Sequence, residues 1–124
     1  MFLTGNGMSD GPLHHHISGA PLLGERRTAP HYRLYSVRDA YPALHPVGAG
    51  GQPILGELYD VPMTQLRDLL ANEPPELELS MVELEDHGTG AQLSFAMVLR
   101  RGETGHTDIT LHGGWLAYLR TRPS

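Results

Sequence analysis

Gln92-Leu93-Ser94-Phe95-Ala96-Met97-Val98-Leu99 is the clearest piece of local structure in this sequence. Leu93, Phe95, Met97 and Leu99 fall on one side of an extended chain, and Gln92, Ser94 and, beyond them, Arg100 fall on the other. A side-chain period of two marks a strand. Upstream, Leu77, Leu79 and Met81 alternate in the same way, but Val82 and Leu84 continue in the opposite phase. That slip predicts a β-bulge near Met81 and, with it, a bent sheet. Two further segments, residues 32–37 (Tyr-Arg-Leu-Tyr-Ser-Val) and 54–59 (Ile-Leu-Gly-Glu-Leu-Tyr), are rich in strand-forming residues. Phe2-Leu3 opens the chain as a short strand that stops at Gly5.

Two helices interrupt this strand-rich pattern. Pro62 suits a first helical turn, where its missing N–H costs nothing. Met63, Leu66, Leu69 and Leu70 then form an apolar stripe that ends before Pro74-Pro75. A second helix follows Gly113-Gly114, with Trp115, Leu116, Tyr118 and Leu119 at helical spacing. Residues 38–53, rich in Gly and Pro, read as one long irregular connection. Many strands, two short helices and no regular βαβ alternation predict an α+β fold, a strongly bent mixed sheet or partial β-barrel with helices against it.

The 124 residues suffice for one domain, spanning 1–124, that buries a core of its own. The apolar fraction of 40% and charged fraction of 19% are those of a globular chain. Without cysteine there is no disulfide framework and no thiolate chemistry. The net charge of −5, with basic residues only in pairs such as Arg26-Arg27 and Arg100-Arg101, argues against nucleic acid as a partner. No stretch approaches the ~20 apolar residues of a membrane-spanning helix, and Met1-Phe2-Leu3-Thr4-Gly5 lacks the basic start of a signal peptide. Cytoplasm is the expected location.

Four segments, in order, resemble the C-terminal domain of allophanate hydrolases. They are Gly5-Asn6-Gly7-Met8-Ser9-Asp10-Gly11-Pro12-Leu13; Thr28-Ala29-Pro30-His31-Tyr32-Arg33-Leu34-Tyr35; Ile54-Leu55-Gly56-Glu57-Leu58-Tyr59; and Asp108-Ile109-Thr110 with Gly113-Gly114-Trp115-Leu116-Ala117-Tyr118-Leu119. The resemblance implies a γ-glutamylcyclotransferase-like fold whose first glycine loop lines a small pocket. In cyclotransferases of that fold one glutamate moves the proton during internal amide attack. In allophanate hydrolases the domain follows an amidase domain, acts on its small carboxylated product in a decarboxylation-type step, and contributes to assembly. Gly7 stands where that family usually carries a histidine, so the imidazole is missing from this loop. The chain has no Ser-Ser-Lys amidase region of its own.

The residues themselves offer a short set of candidates. Gly5, Asn6, Gly7 and Met8 can present backbone N–H groups to a carboxylate or an amide oxygen, since glycine admits close approach; a plain turn is the alternative. Glu73 ends the first helix, and Leu70-Ala71-Asn72-Glu73 loosely resembles the cyclotransferase Leu-Asp…Glu-Gly pattern. A lone pocket carboxylate with a raised pKa is a suitable general base; a solvated helix-end glutamate is the bland alternative. Glu57, mid-strand after Gly56, must point into a cavity or into water, and Arg33 can pair a substrate carboxylate. His14-His15-His16 offers a two-ligand start for zinc but no second pair at metal-binding spacing, so no metal or other cofactor is expected. Ser9 and Ser94 lack any nucleophile motif. The expected ligand is a small carboxylate or amide, acted on by a lyase or cyclotransferase-like step. The alternative is a non-catalytic module that assembles with an amidase partner or as a homodimer.

Overall fold

The structure, a computed structural model, describes residues 1–5, 19–85 and 92–122. Its elements are β1 (Phe2–Leu3), β2 (Leu22–Arg27), β3 (Tyr32–Val37), β4 (Tyr41–Pro46), β5 (Leu55–Tyr59), α1 (Met63–Ala71), β6 (Leu77–Leu84), β7 (Gln92–Leu99), β8 (Thr107–Asp108) and α2 (Trp115–Thr121), with a 3₁₀ turn at Thr110–His112 before α2. The strands form one mixed sheet in the order β2-β5-β1-β7-β4-β3-β8, and β6 pairs with the other side of β7. The sheet curls until the end of β2 meets the end of β6. There Thr28 bridges Leu84, and the Ala29 and Glu85 amides donate to the Glu83 and Arg27 carbonyls at 2.9 and 2.8 Å. This is the expected α+β architecture, a strongly bent sheet with two helices.

β1 lies mid-sheet, antiparallel to β5 (Phe2 opposite Leu58) and parallel to β7 (Phe2 opposite Ala96). Its two residues face opposite ways, and both are buried. Phe2 enters the interior of the curl with Leu34, Leu44, Ile54 and Val98, while Leu3 packs with Tyr59 and Leu69 beneath α1. Gly56 on the neighbouring strand follows from this crowding. A Cβ there would meet the Leu3 carbonyl oxygen and lie 2.6 Å from the Phe2 ring.

Two sequence expectations need correction, the bulge in β6 and the irregular connection at 38–53, and the alternation in β7 takes its sidedness from the core. The alternation in β7 is present, but the buried face is the small one: Ser94, Ala96 and Val98 point inward while Leu93 and Phe95 are exposed. The Phe2 ring opposite Ala96 already fills that part of the interior, so the larger side chains sit outside. No bulge occurs in β6, whose register with β7 runs unbroken from Leu77↔Leu99 to Leu84↔Gln92. Its apparent phase slip arises because Leu77 joins a core with Val37 and Tyr41, whereas Val82 and Leu84 face the interior on the opposite side. The register shift lies in β2 instead, between Leu22 and Gly24, where Gly24 takes φ 128°. Finally, residues 38–53 contain a strand, β4, paired with β3 from Val37↔Tyr41 to Tyr32↔Pro46. Val47 N–H donates to the His31 carbonyl just beyond. By the alternation of an antiparallel ladder, Pro42 and Pro46 therefore occupy positions whose nitrogens point away from β3, where proline is tolerated.

The helices are where the spacing puts them. Pro62 is the cap of α1 rather than its first-turn residue. Leu66 and Leu69 are buried; Met63, in the overhanging first turn, is exposed. In α2, Trp115 is buried in the main core and Tyr118 packs beside it, ring centroids 5.7 Å apart.

Candidate functional site

A cavity of about 60 Å³ opens between the end of β1, the start of β4 and the end of α1. Thr4 and Gly5 form one wall, Tyr41 and Pro42 a second, and Leu69, Glu73 and Pro74 a third. Gly5 is dictated by its neighbour, since a Cβ there would fall 2.5 Å from the Pro42 ring. Pro74 ends α1 and turns the chain, so Glu73 leaves the helix axis, its N–H bonded to the Leu70 carbonyl at 3.2 Å. The volume matches about two water molecules, the size of a carboxylate or carboxamide head group.

The electrostatics of this cleft divide between two glutamates. Glu73 is partly buried, and burial pushes its carboxyl from an ordinary value of 4.5 to about 7. Three residues on, Glu76 is held down to about 2 by the hydroxyl hydrogen bond from Tyr41 and then by Arg38, whose guanidinium lies 2.8 Å away. Burial and the Glu76 carboxylate together keep the Tyr41 phenol protonated, its pKa pushed up to about 12. Tyr41 therefore donates to Glu76 while its ring lines the cavity. Arg38 also donates to the Tyr41 oxygen at 3.3 Å. One carboxyl is thus fixed as an anion, and the other is balanced near neutrality.

The structure brings Gly5 and Glu73 to one cavity and separates the other candidates from it. Asn6, Gly7, Met8, Ser9 and His14-His15-His16 lie outside the described residues. Arg33 lines neither this cavity nor the second one. Its Nε donates to Asp108 at 2.6 Å and its Nη1 to the Gly50 carbonyl, which ties β3 to β8 and to the loop before β5. Glu57 lies on the outer side of β5 in a separate hollow of about 400 Å³ against α2, shared with Glu25, Arg27 and Arg120. Its carboxylate accepts the Tyr59 hydroxyl at 2.9 Å. Ser94 faces the interior, its hydroxyl donating to the Phe95 carbonyl. Among the described residues no three His, Asp or Glu side chains cluster as a metal site. The sequence reading missed the Tyr41–Glu76–Arg38 group. The two prolines of β4 masked the strand that carries Tyr41 into the cleft.

The family model for the allophanate hydrolase C-terminal domain matches residues 1–120. The chain belongs to that family. Among solved structures, a uropathogenic E. coli-specific protein is 26% identical with a TM-score of 0.87, the match covering 98% of this chain and 95% of that one. Kluyveromyces lactis allophanate hydrolase is 28% identical with a TM-score of 0.83. K. lactis urea amidolyase is 27% identical with a TM-score of 0.84. The domain covers 96% of its own length in both of these matches, but only 20% of the hydrolase and 8% of the amidolyase. No curated protein matches. No helix among the described residues is long and apolar enough to cross a membrane.

Proposed function

We propose that this allophanate hydrolase C-terminal-type domain binds a small carboxylate or amide in the Gly5–Glu73 cavity and that Glu73 moves a proton on the bound molecule. The observation that carries this reading is the Glu73 carboxyl: desolvated to a pKa of about 7, on the wall facing Gly5. A carboxyl balanced there takes a proton and returns it at neutral pH with little energetic penalty in either direction. In a cyclotransferase-like step it would accept a proton from an attacking amine and return it to the leaving nitrogen as the amide C–N bond breaks. In a lyase-like step it would deliver a proton to a carboxylated nitrogen as carbon dioxide departs. Kinship to the allophanate hydrolase and urea amidolyase structures supports a small carboxylated nitrogen compound as ligand and an amidase as partner.

The test is a thermal-shift screen against small carboxylates, ureas and γ-glutamyl compounds, followed by turnover with the compounds that bind. Glu73→Gln is expected to keep binding and lose turnover. A variant that turns over at the wild-type rate refutes the role of Glu73. A second reading, a non-catalytic assembly module, is favoured by the apolar side chains that β6 and β7 leave exposed on their outer face.

A further inference from the structure

The hollow of about 400 Å³ between α2 and the outer side of β2 and β5 shares no residue with the Gly5–Glu73 cavity. Its volume falls in the ~300–1,000 Å³ range of small-molecule pockets. The β2–β5 register places Glu25 opposite Glu57 and Arg27 opposite Leu55, so these four side chains share one face of the sheet. Leu116 and Arg120, about one turn apart on α2, line the facing wall. Both walls are held in place. The Leu55 amide donates to the Gly113 carbonyl at 2.8 Å, just before α2 begins. Trp115 is buried in the core. At the far end of the helix the Tyr118 hydroxyl donates to Asp39 at 2.6 Å, and Arg122 pairs with the same carboxylate at 3.5 Å.

The charges in this hollow form two poles. Glu25 and Glu57 stand directly opposite each other across the ladder, a placement that costs energy for like charges. Two positions along β2, Arg27 makes no ion pair with any carboxylate among the described residues, and neither does Arg120. We propose that the hollow is a second ligand site, which takes a zwitterion of dipeptide length with its ammonium between Glu25 and Glu57 and its carboxylate on Arg27. The balance of charge selects this class. The two glutamates oppose a dicarboxylate, and the two arginines oppose a diamine. A molecule with no net charge and well-separated ionic ends satisfies both poles. Spacing selects the length. Rows two residues apart on a strand lie ~7 Å apart, and two residues of extended peptide span ~7 Å. A single α-amino acid carries both charges on one carbon and cannot reach both rows. Leu55 and Leu116 offer apolar contact to the side chains of the dipeptide. The inference goes beyond the Glu73 reading and is independent of it, since binding here is measured without turnover and at other residues.

Titration of the isotopically labelled whole chain with alanyl-alanine, followed by heteronuclear NMR, tests it. Amide signals around Glu25, Arg27, Glu57 and Arg120 are expected to shift, with a dissociation constant of about 1 mM or tighter. N-acetylalanyl-alanine lacks the ammonium, and alanyl-alaninamide lacks the carboxylate. Each should bind roughly tenfold more weakly, as should free alanine. Arg27→Gln and Glu25→Gln are each expected to weaken alanyl-alanine by roughly tenfold, with the rest of the spectrum unchanged because both side chains are exposed. Arg101→Gln, exposed and outside the hollow, is the control and should leave binding intact. An absence of shifts up to about 10 mM overturns the proposal. So do shifts confined to the Gly5–Glu73 cavity, capped forms that bind as tightly as the free dipeptide, or Arg27→Gln and Glu25→Gln variants that bind it at wild-type strength.

Discussion

Replacing Glu73 by Gln should stabilise the protein, and only above mildly acidic pH. The carboxyl moves from 4.5 to about 7 because the fold half-buries it without a charged partner among the described residues. The folded state therefore holds the proton more tightly than the unfolded chain does. Stability attributable to this group is full below pH 4.5, falls as pH rises towards 7, and is lost above that. The shift corresponds to about 3 kcal/mol at 1.36 kcal/mol per pH unit; with some residual contact with water, about 2 kcal/mol is the expected size. Gln keeps the shape and cannot ionise. The difference in unfolding free energy between Glu73→Gln and wild type should be near zero at pH 4 and about +2 kcal/mol at pH 8. Denaturant titrations at half-unit steps measure it, with a midpoint in the difference between 4.5 and 7. A difference that stays flat across this range, or that favours the wild type at pH 8, would show that Glu73 is fully solvated and would remove the basis for its catalytic role.

Three other outcomes follow from the packing and the electrostatics. Tyr41→Phe removes the leading hydrogen bond on Glu76, whose low pKa stabilises the fold above 4.5 and is lost as pH falls towards 2; acid unfolding followed by circular dichroism should shift to higher pH. Gly56→Ala places a methyl against the Leu3 carbonyl and the Phe2 ring and should cost about 2 kcal/mol in urea unfolding, whereas Gly48→Ala, with open space around it, should not. Truncation after Gly114 removes Trp115 from the core and Tyr118 from its flank, a loss of about 2–3 kcal/mol from the tryptophan alone; calorimetry should show the cooperative transition abolished.

The fold was legible where hydrophobic spacing answers to one neighbour at a time. Leu66 and Leu69 on one helical face, and Trp115 with Tyr118 after two glycines, need only one layer to bury against. Legibility failed where a residue's side depends on distant chain. Nothing near Phe95 says that Phe2, more than ninety residues earlier, has filled the interior opposite Ala96 and left the larger side chains outside. β4 was hidden because Pro42 and Pro46 oppose strand only on a local count; the pairing that lets their nitrogens face away becomes visible with β3 in place. Of the cleft, Glu73 and Gly5 could be picked out as the end of a helix and the end of a strand. Tyr41, Glu76 and Arg38 come together through the β3–β4 turn and the chain after α1, a juxtaposition that no local pattern encodes.

The position of β1 sets a limit on how the chain can fold. Phe2 must find Leu58 on one side and Ala96 on the other, while Thr28 must find Leu84 for the curl to close. The β3–β4 and β6–β7 hairpins close short loops and can form early, on the microsecond scale of isolated hairpins. The central strand has no local partner, so its docking bears the entropy of bringing together the two ends of most of the chain. Folding should be slow for a chain of this size. Until Leu58 and Ala96 are both within reach, Phe2 and Leu3 stay apolar and unpaired.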